Sequence, residues 1–214
     1  MRSEWSARIA LTALALTAAG GVMAPAQAQH AAELTPFFTS YYPLASVGEF
    51  GTISERQAAA PGGGARLTFW ISPSVGIEAA GAFVASGTKL TSTDASVSAG
   101  VSLPGTIISG TGRIVFRPAR TNLYLLVGGG MVSRGGDTWD PAVTGIQTES
   151  LTNFGGVVGF GARANVTPKF ALNVTVESML YSMDPDGGDG TTYESTFQSD
   201  IYVSIGIPIG FGRR

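Results

Sequence analysis

The lengths of the connections between its apolar stretches constrain this chain more than any other feature. Eight stretches carry a two-faced pattern, at residues 34–47, 65–72, 75–85, 106–117, 121–133, 153–166, 170–181 and 200–211. The segments joining them run long, short, long, short, long, short, long: 48–64, 73–74, 86–105, 118–120, 134–152, 167–169 and 182–199. In the last stretch Ile201, Val203, Ile205, Ile207, Ile209 and Phe211 alternate with Asp200, Tyr202, Ser204, Gly206, Pro208 and Gly210. Successive side chains of a strand point to opposite faces, so one face here is continuously greasy and the other small or polar. An even number of strands, tight turns at one end and long loops at the other define an up-and-down antiparallel barrel that crosses a membrane. Tilted strands of roughly 9–11 residues reach across the hydrocarbon layer. The first stretch alternates poorly and the fifth is apolar on both faces, so pattern alone leaves their facing open.

The make-up of the polar face separates a membrane barrel from a secreted soluble ligand-binding barrel. A sheet facing water carries Lys and Glu at many positions. Here that face is Gly, Ala, Ser, Thr and Asn with about one charge per strand, which suits the narrow interior of eight strands. Charged residues make up 13% of the chain, against roughly 25% in ordinary soluble domains. Backbone groups left unpaired in hydrocarbon cost several kcal/mol each, so such a sheet must close on itself. The fold class is therefore all-β, an eight-stranded antiparallel transmembrane β-barrel.

The N-terminus reads as a secretory signal peptide. Arg2 and Arg8 precede a short apolar core at 9–19, Gly20, Gly21 and Pro25 break it, and Ala26-Gln27-Ala28 fits the small-x-small cleavage rule. Cleavage after Ala28, with Ala24-Pro25-Ala26 as the alternative site, divides the chain into a leader, 1–28, and a barrel domain, 29–214. The chain has no cysteine, so no disulfide framework exists. A net charge of −2 gives no electrostatic footprint for nucleic acid. Enzymatic readings lack parts. The single histidine, His30, lies in the tail just after the leader, so no Ser-His arrangement can be placed on the scaffold. The glycine triplets at 62–64 and 128–130 read as a loop and a strand with no helix following, so neither is a phosphate cradle. No catalytic residue and no cofactor is expected.

Two groups of side chains remain as candidate sites. Arg66, Glu78, Arg113, Arg163 and Glu177 fall on the inward face. Strand adjacency places Glu78 between Arg66 and Arg113, and Arg163 beside Glu177. Charges in a narrow lumen must be paired or wet, which implies a salt-bridge plug, with an ion path as the other reading. Asp184, Asp186 and Asp189 in the last loop have oxygen ligands near a glycine. They lack the bidentate Glu of a calcium loop, so no metal site is assigned. Pro208 cannot donate to the ladder and implies interrupted pairing near the barrel rim.

On these residues the chain resembles the small eight-stranded outer-membrane barrels of the OmpA/OmpX type, over its whole length after the leader. The most specific match is the C-terminal assembly signal, polar-x-Gly-x-x-apolar-x-aromatic, carried here by Ser204, Gly206, Ile209 and Phe211. The family pattern ends at the aromatic residue, whereas Gly212, Arg213 and Arg214 follow here. The resemblance implies location in the outer membrane of a Gram-negative bacterium, contact with its lipid and lipopolysaccharide, and handling by periplasmic chaperones and the barrel assembly machinery. It implies a structural or surface-interaction role, in adhesion or membrane integrity, through four long extracellular loops. A narrow channel for ions or small solutes is the alternative.

Overall fold

The computed structural model describes residues 31–45, 48–50, 53–92, 101–118, 121–137, 151–167, 170–183 and 196–212. Thirteen strands follow in chain order: β1 Ala32–Pro43, β2 Gly48–Phe50, β3 Ile53–Gln57, β4 Ala60–Trp70, β5 Val75–Val84, β6 Thr88–Ser92, β7 Val101–Leu103, β8 Gly105–Phe116, β9 Leu123–Gly136, β10 Leu151–Thr167, β11 Phe170–Met183, β12 Thr196–Gly206 and β13 Ile209–Phe211. The order β12-β11-β10-β9-β8-β5-β4-β1, with β12 also paired to β1, closes an eight-stranded antiparallel barrel. Every neighbour in it is antiparallel, and the connections at one end are only a few residues long.

The outward face settles what surrounds the barrel. Phe38, Phe83, Ile114 and Val127 each leave more than half of their surface open, and Phe154 leaves 76%. Among the described residues the outward positions of these eight strands carry no charge. A belt of exposed Phe, Ile, Leu and Val this continuous is stable only against lipid tails, since monomeric soluble proteins rarely show such patches. This removes the soluble ligand-binding alternative. The facing of β1 and β9 is also fixed. Glu33, Thr35, Thr39 and Tyr41 of β1, and Leu126, Val132 and Arg134 of β9, are buried in the lumen.

Glycine placement explains how so narrow a lumen holds large side chains. Directly across the ladders, Trp70 faces Gly76, Arg113 faces Gly128, Tyr124 faces Gly161, Glu177 faces Gly159 and Tyr181 faces Gly155. Phe37 has a glycine on both sides, Gly64 and Gly206. A methyl group added at Gly64 would stand 2.0 Å from the Gly81 carbonyl oxygen and 2.6 Å from the Phe37 ring. One at Gly128 would stand 2.6 Å from Cβ of Arg113. Each bulky inward group therefore occupies the volume that its partner's missing side chain leaves.

The structure departs from the sequence reading around the first two long connections. β4 begins at Ala60, so Gly62 to Gly64 lie in a strand and not in a loop. β1 ends at Pro43 rather than at Val47. The first two long connections are not loops throughout. β2, β3, β6 and β7 form a second antiparallel sheet in the order β2-β3-β6-β7. It continues the wall of β1, β4, β5 and β8, because β5–β8 and β6–β7 keep one register (Val84 opposite Ile107, Thr88 opposite Leu103). Gln57 and Ser86 knit the junction. The Gln57 Nε2 amide donates to the Ser86 carbonyl at 3.0 Å, and the Ala58 N–H donates to the Gly87 carbonyl at 2.8 Å. Short polar segments mask such strands, since they lack the apolar face that the membrane imposes below.

The closing strand breaks where a proline stands. The Ile207 N–H still donates to the Pro36 carbonyl on β1 at 3.0 Å. Bonding sides alternate along a strand, so the N–H that Pro208 lacks belongs on the β11 side. Pairing with β11 accordingly ends at Asn173 opposite Gly206, while β13 stays paired with β1 through Leu34 opposite Ile209.

Candidate functional site

The inward face carries two polar layers separated along the barrel axis. The lower one lies toward the tight turns, the periplasmic end in such barrels. There the Arg113 Nε donates to Glu78 Oε1 at 2.8 Å, and its Nη1 donates to Glu177 Oε2 at 2.5 Å. Thr68 donates its hydroxyl to Glu78 Oε2. Arg66 reaches Thr175 Oγ1 at 3.0 Å, bonds Ser204 Oγ, and stands 3.8 Å from Glu177 Oε2. Its guanidinium also packs over the Phe37 ring, 4.2 Å from the centroid. Burying these ions is costly unless each is paired and hydrogen-bonded, and the layer meets that condition for most of their polar atoms.

The register corrects two expected pairs. Arg163 does not meet Glu177, because the β10–β11 ladder sets Arg163 opposite Asn173 and Glu177 opposite Gly159, four residues away. Arg163 instead holds Glu33, with Nη1 at 2.9 and 3.0 Å from the two carboxylate oxygens. Glu33 reads as tail in the sequence, yet it stands on β1 and is buried. Glu78 likewise is not shared between Arg66 and Arg113. It lies opposite Thr68 and Arg113, whereas Arg66 lies opposite Ala80 and turns toward Glu177.

The upper layer has no counterpart in the sequence reading. Asp200 accepts from Tyr41 OH at 2.9 Å, from Tyr181 OH at 2.6 Å and from Arg134 Nη2 at 3.0 Å. Arg134 also bonds the Tyr181 hydroxyl and is 1% exposed. Tyr41, Val84, Ile107, Val132, Met179 and Met183 pack around this knot, all below 2% exposure or at it. The signal that could have found the layer is Arg134 in register with the inward residues of the fifth stretch, two positions past Val132. Its neighbourhood of glycines and polar residues reads as loop instead.

The remaining predicted residues fall as follows. Ser204 and Gly206 face the lumen, where Ser204 receives Arg66 and Gly206 gives Phe37 its room. Ile209 and Phe211 stand outward and exposed. Ala26 and Ala28, and Asp184, Asp186 and Asp189, lie outside the described residues.

A closed eight-stranded barrel with a narrow, charge-paired lumen inside an uncharged apolar belt defines an integral outer-membrane protein. The family profile of the outer membrane protein beta-barrel domain matches residues 12–203, and the chain belongs to that family. It resides in the outer membrane of a Gram-negative bacterium, with its outward face in the lipid. Among solved structures it is similar to the outer membrane protein OprG from Pseudomonas aeruginosa, at 12% identity and a TM-score of 0.56, over 87% of this chain and 98% of that one. It is also similar to Neisserial surface protein A (NspA), at 11% identity and a TM-score of 0.51, over 85% of this chain and 97% of that one. At such identities the likeness concerns the fold. No curated protein sequence matches the chain.

Proposed function

We propose that this protein is a structural and surface-interaction barrel, not a channel and not an enzyme. The observation that carries the reading is the upper seal. Arg134, Tyr41, Ile107, Met179 and Met183 fill the extracellular half of the lumen with essentially no accessible surface. An ion path needs water or exchangeable ligands along its length, and a layer so filled offers neither. What the barrel then presents is its extracellular end. There the β2-β3-β6-β7 wall holds Arg56 directly opposite Lys89, both exposed. Like charges opposite one another on a sheet are unfavourable without an anionic partner. Lipopolysaccharide phosphates at that level supply one, so the wall serves membrane integrity as well as contact with other surfaces.

Export by the 1–28 leader, escort by periplasmic chaperones and insertion through the assembly machinery at Ser204, Gly206, Ile209 and Phe211 belong to the same reading. Planar-bilayer recording of the refolded protein tests it. The expected trace is silent at both polarities. Discrete ohmic steps in the wild type, abolished by heat denaturation, would overturn the reading in favour of the narrow channel.

A further inference from the structure

The lower end of the lumen is not filled. A narrow cavity opens beside the tight turns, bounded by Glu33, Arg66, Trp70, Arg117, Arg163 and Asn173 among others. Its charge does not balance. Arg66, Arg113, Arg134 and Arg163 on the barrel strands are matched by Glu33, Glu78, Glu177 and Asp200. Arg117, just past the end of β8, is a fifth cation and makes no salt bridge among the described residues. Its guanidinium lies flat over Trp70, 4.2 Å from the ring.

Hydrogen bonding is also incomplete on the donor side. Trp70 is 6% exposed and Arg66 3%, yet Trp70 Nε1–H and Arg66 Nε–H find no acceptor. An indole N–H and a guanidinium can only donate. A buried donor without a partner is unfavourable, and a half-buried guanidinium without a counter-charge adds to the deficit. One acceptor carrying one negative charge corrects both deficits.

We propose that this pocket is a periplasm-facing anion seat for one small monovalent anion, a halide or a carboxylate group, held by Trp70, Arg66 and Arg117. A cation is refused by the surplus guanidinium, a divalent anion by there being one surplus charge, and a bulky anion by the small size of the cavity. The Asn173 side-chain oxygen lacks a donor as the amide is oriented, and turning the amide over adds a further donor to the seat. Occupancy ties the end of β4 to the end of β8 at the rim, next to the turns. The seat is blind, because the Arg134 layer closes the lumen above it. It does not depend on what the extracellular wall binds.

The test uses the mature chain refolded in detergent, with folding checked by heat-modifiable gel mobility. Trp139→Phe leaves Trp70 as the one tryptophan after the leader. Sodium chloride, formate and gluconate are titrated at constant ionic strength. Trp70 emission is expected to change saturably with chloride or formate and to ignore gluconate. A response to chloride alone assigns a halide seat, and one to formate a carboxylate seat. Arg117→Gln raises the half-saturation at least tenfold in a folded protein. Chloride-35 line broadening by the unmodified protein, reversed by formate, reads the same event without relying on the tryptophan or on any variant. No saturable emission change together with no reversible broadening means that the pocket holds water only, and the proposal fails. An undiminished response in Arg117→Gln places the anion elsewhere and equally overturns it.

Discussion

Replacing Glu177 by alanine is the most direct way to ask whether the lower layer holds the barrel together. Glu177 Oε2 stands 2.5 Å from Arg113 Nη1 and 3.8 Å from Arg66 Nη2. Its side chain is 13% exposed, while those of Arg113 and Arg66 are 0% and 4% exposed. Glu177→Ala therefore leaves Arg113 with Glu78 alone and Arg66 with no carboxylate at salt-bridge distance among the described residues. Breaking a buried pair costs about 3–5 kcal/mol, and the partial exposure of Glu177 argues for the low end, about 3. With a urea slope of about 2 kcal/mol/M, the midpoint falls by about 1.5 M.

The assay is equilibrium urea unfolding in lipid vesicles, followed by tryptophan emission. The partners are then assigned with double mutants. Glu177→Ala combined with Arg113→Ala should be strongly non-additive, because removing either one disrupts the same pair. Combined with Arg163→Ala it should be additive within about 0.5 kcal/mol, since Arg163 bonds Glu33 and shares no partner with Glu177. A Glu177→Ala midpoint within experimental error of wild type would refute the argument. So would coupling to Arg163 in place of Arg113, which would show that the ladder runs in a different register.

Two further perturbations follow from the geometry. Asp200→Ala removes the acceptor of Arg134, Tyr41 and Tyr181 and should cost more than Arg134→Ala. A lone carboxyl can take up a proton and keep its tyrosine partners, whereas a lone guanidinium cannot shed its charge. Melting of the folded gel band should rank wild type above Arg134→Ala above Asp200→Ala, and the reverse order of the two variants contradicts the account of the upper layer. Gly155 and Gly156 are sequence neighbours on opposite faces. An added Cβ would lie 2.2 Å from the Leu180 carbonyl oxygen at Gly155 and meet nothing within 4 Å at Gly156. Gly155→Ala should lose about 1–3 kcal/mol through overpacking, while Gly156→Ala stays within about 0.5 kcal/mol or gains slightly. Equal urea midpoints for the two variants would show that β10 presents the other face.

Much of the barrel was legible because the membrane writes the pattern. Lipid demands an uncharged apolar residue at every second position, and Ile201 to Phe211 or Phe154 to Val166 meet the demand without exception in the size-independent sense that no charge intrudes. Five of the lumen charges, Arg66, Glu78, Arg113, Arg163 and Glu177, were legible for the same reason, whereas Glu33, Arg134 and Asp200 were not singled out. Glu78 beside Arg113 was legible too, but the other partners were not. Pairing depends on how far each strand is staggered against the next, and alternation is unchanged by a shift of two residues. That is why Arg163 was expected beside Glu177 when the ladder sets it across from Asn173 and near Glu33. The β2-β3-β6-β7 wall was illegible for a different reason. Above the bilayer nothing imposes a two-faced pattern, and Ser, Thr and Gly serve a water-bathed strand as well as a loop.

The invisible stagger must nonetheless be specified by the sequence, and the lumen is the place that can do it. On the outward face one aliphatic group is nearly as good as another, so lipid penalises a one-residue slip, which exchanges the faces, but hardly a two-residue slip. Inside, a two-residue slip is ruinous. It moves Arg113 off Gly128, Glu177 off Gly159 and Tyr181 off Gly155, and sets bulky groups across from one another where the lumen has no room. It also separates Arg113 from Glu78, which now stand directly opposite on β5 and β8. The glycines and the ion pairs thus serve one purpose. Bulk matched to vacancy fixes the stagger sterically, and charge matched to charge fixes it electrostatically.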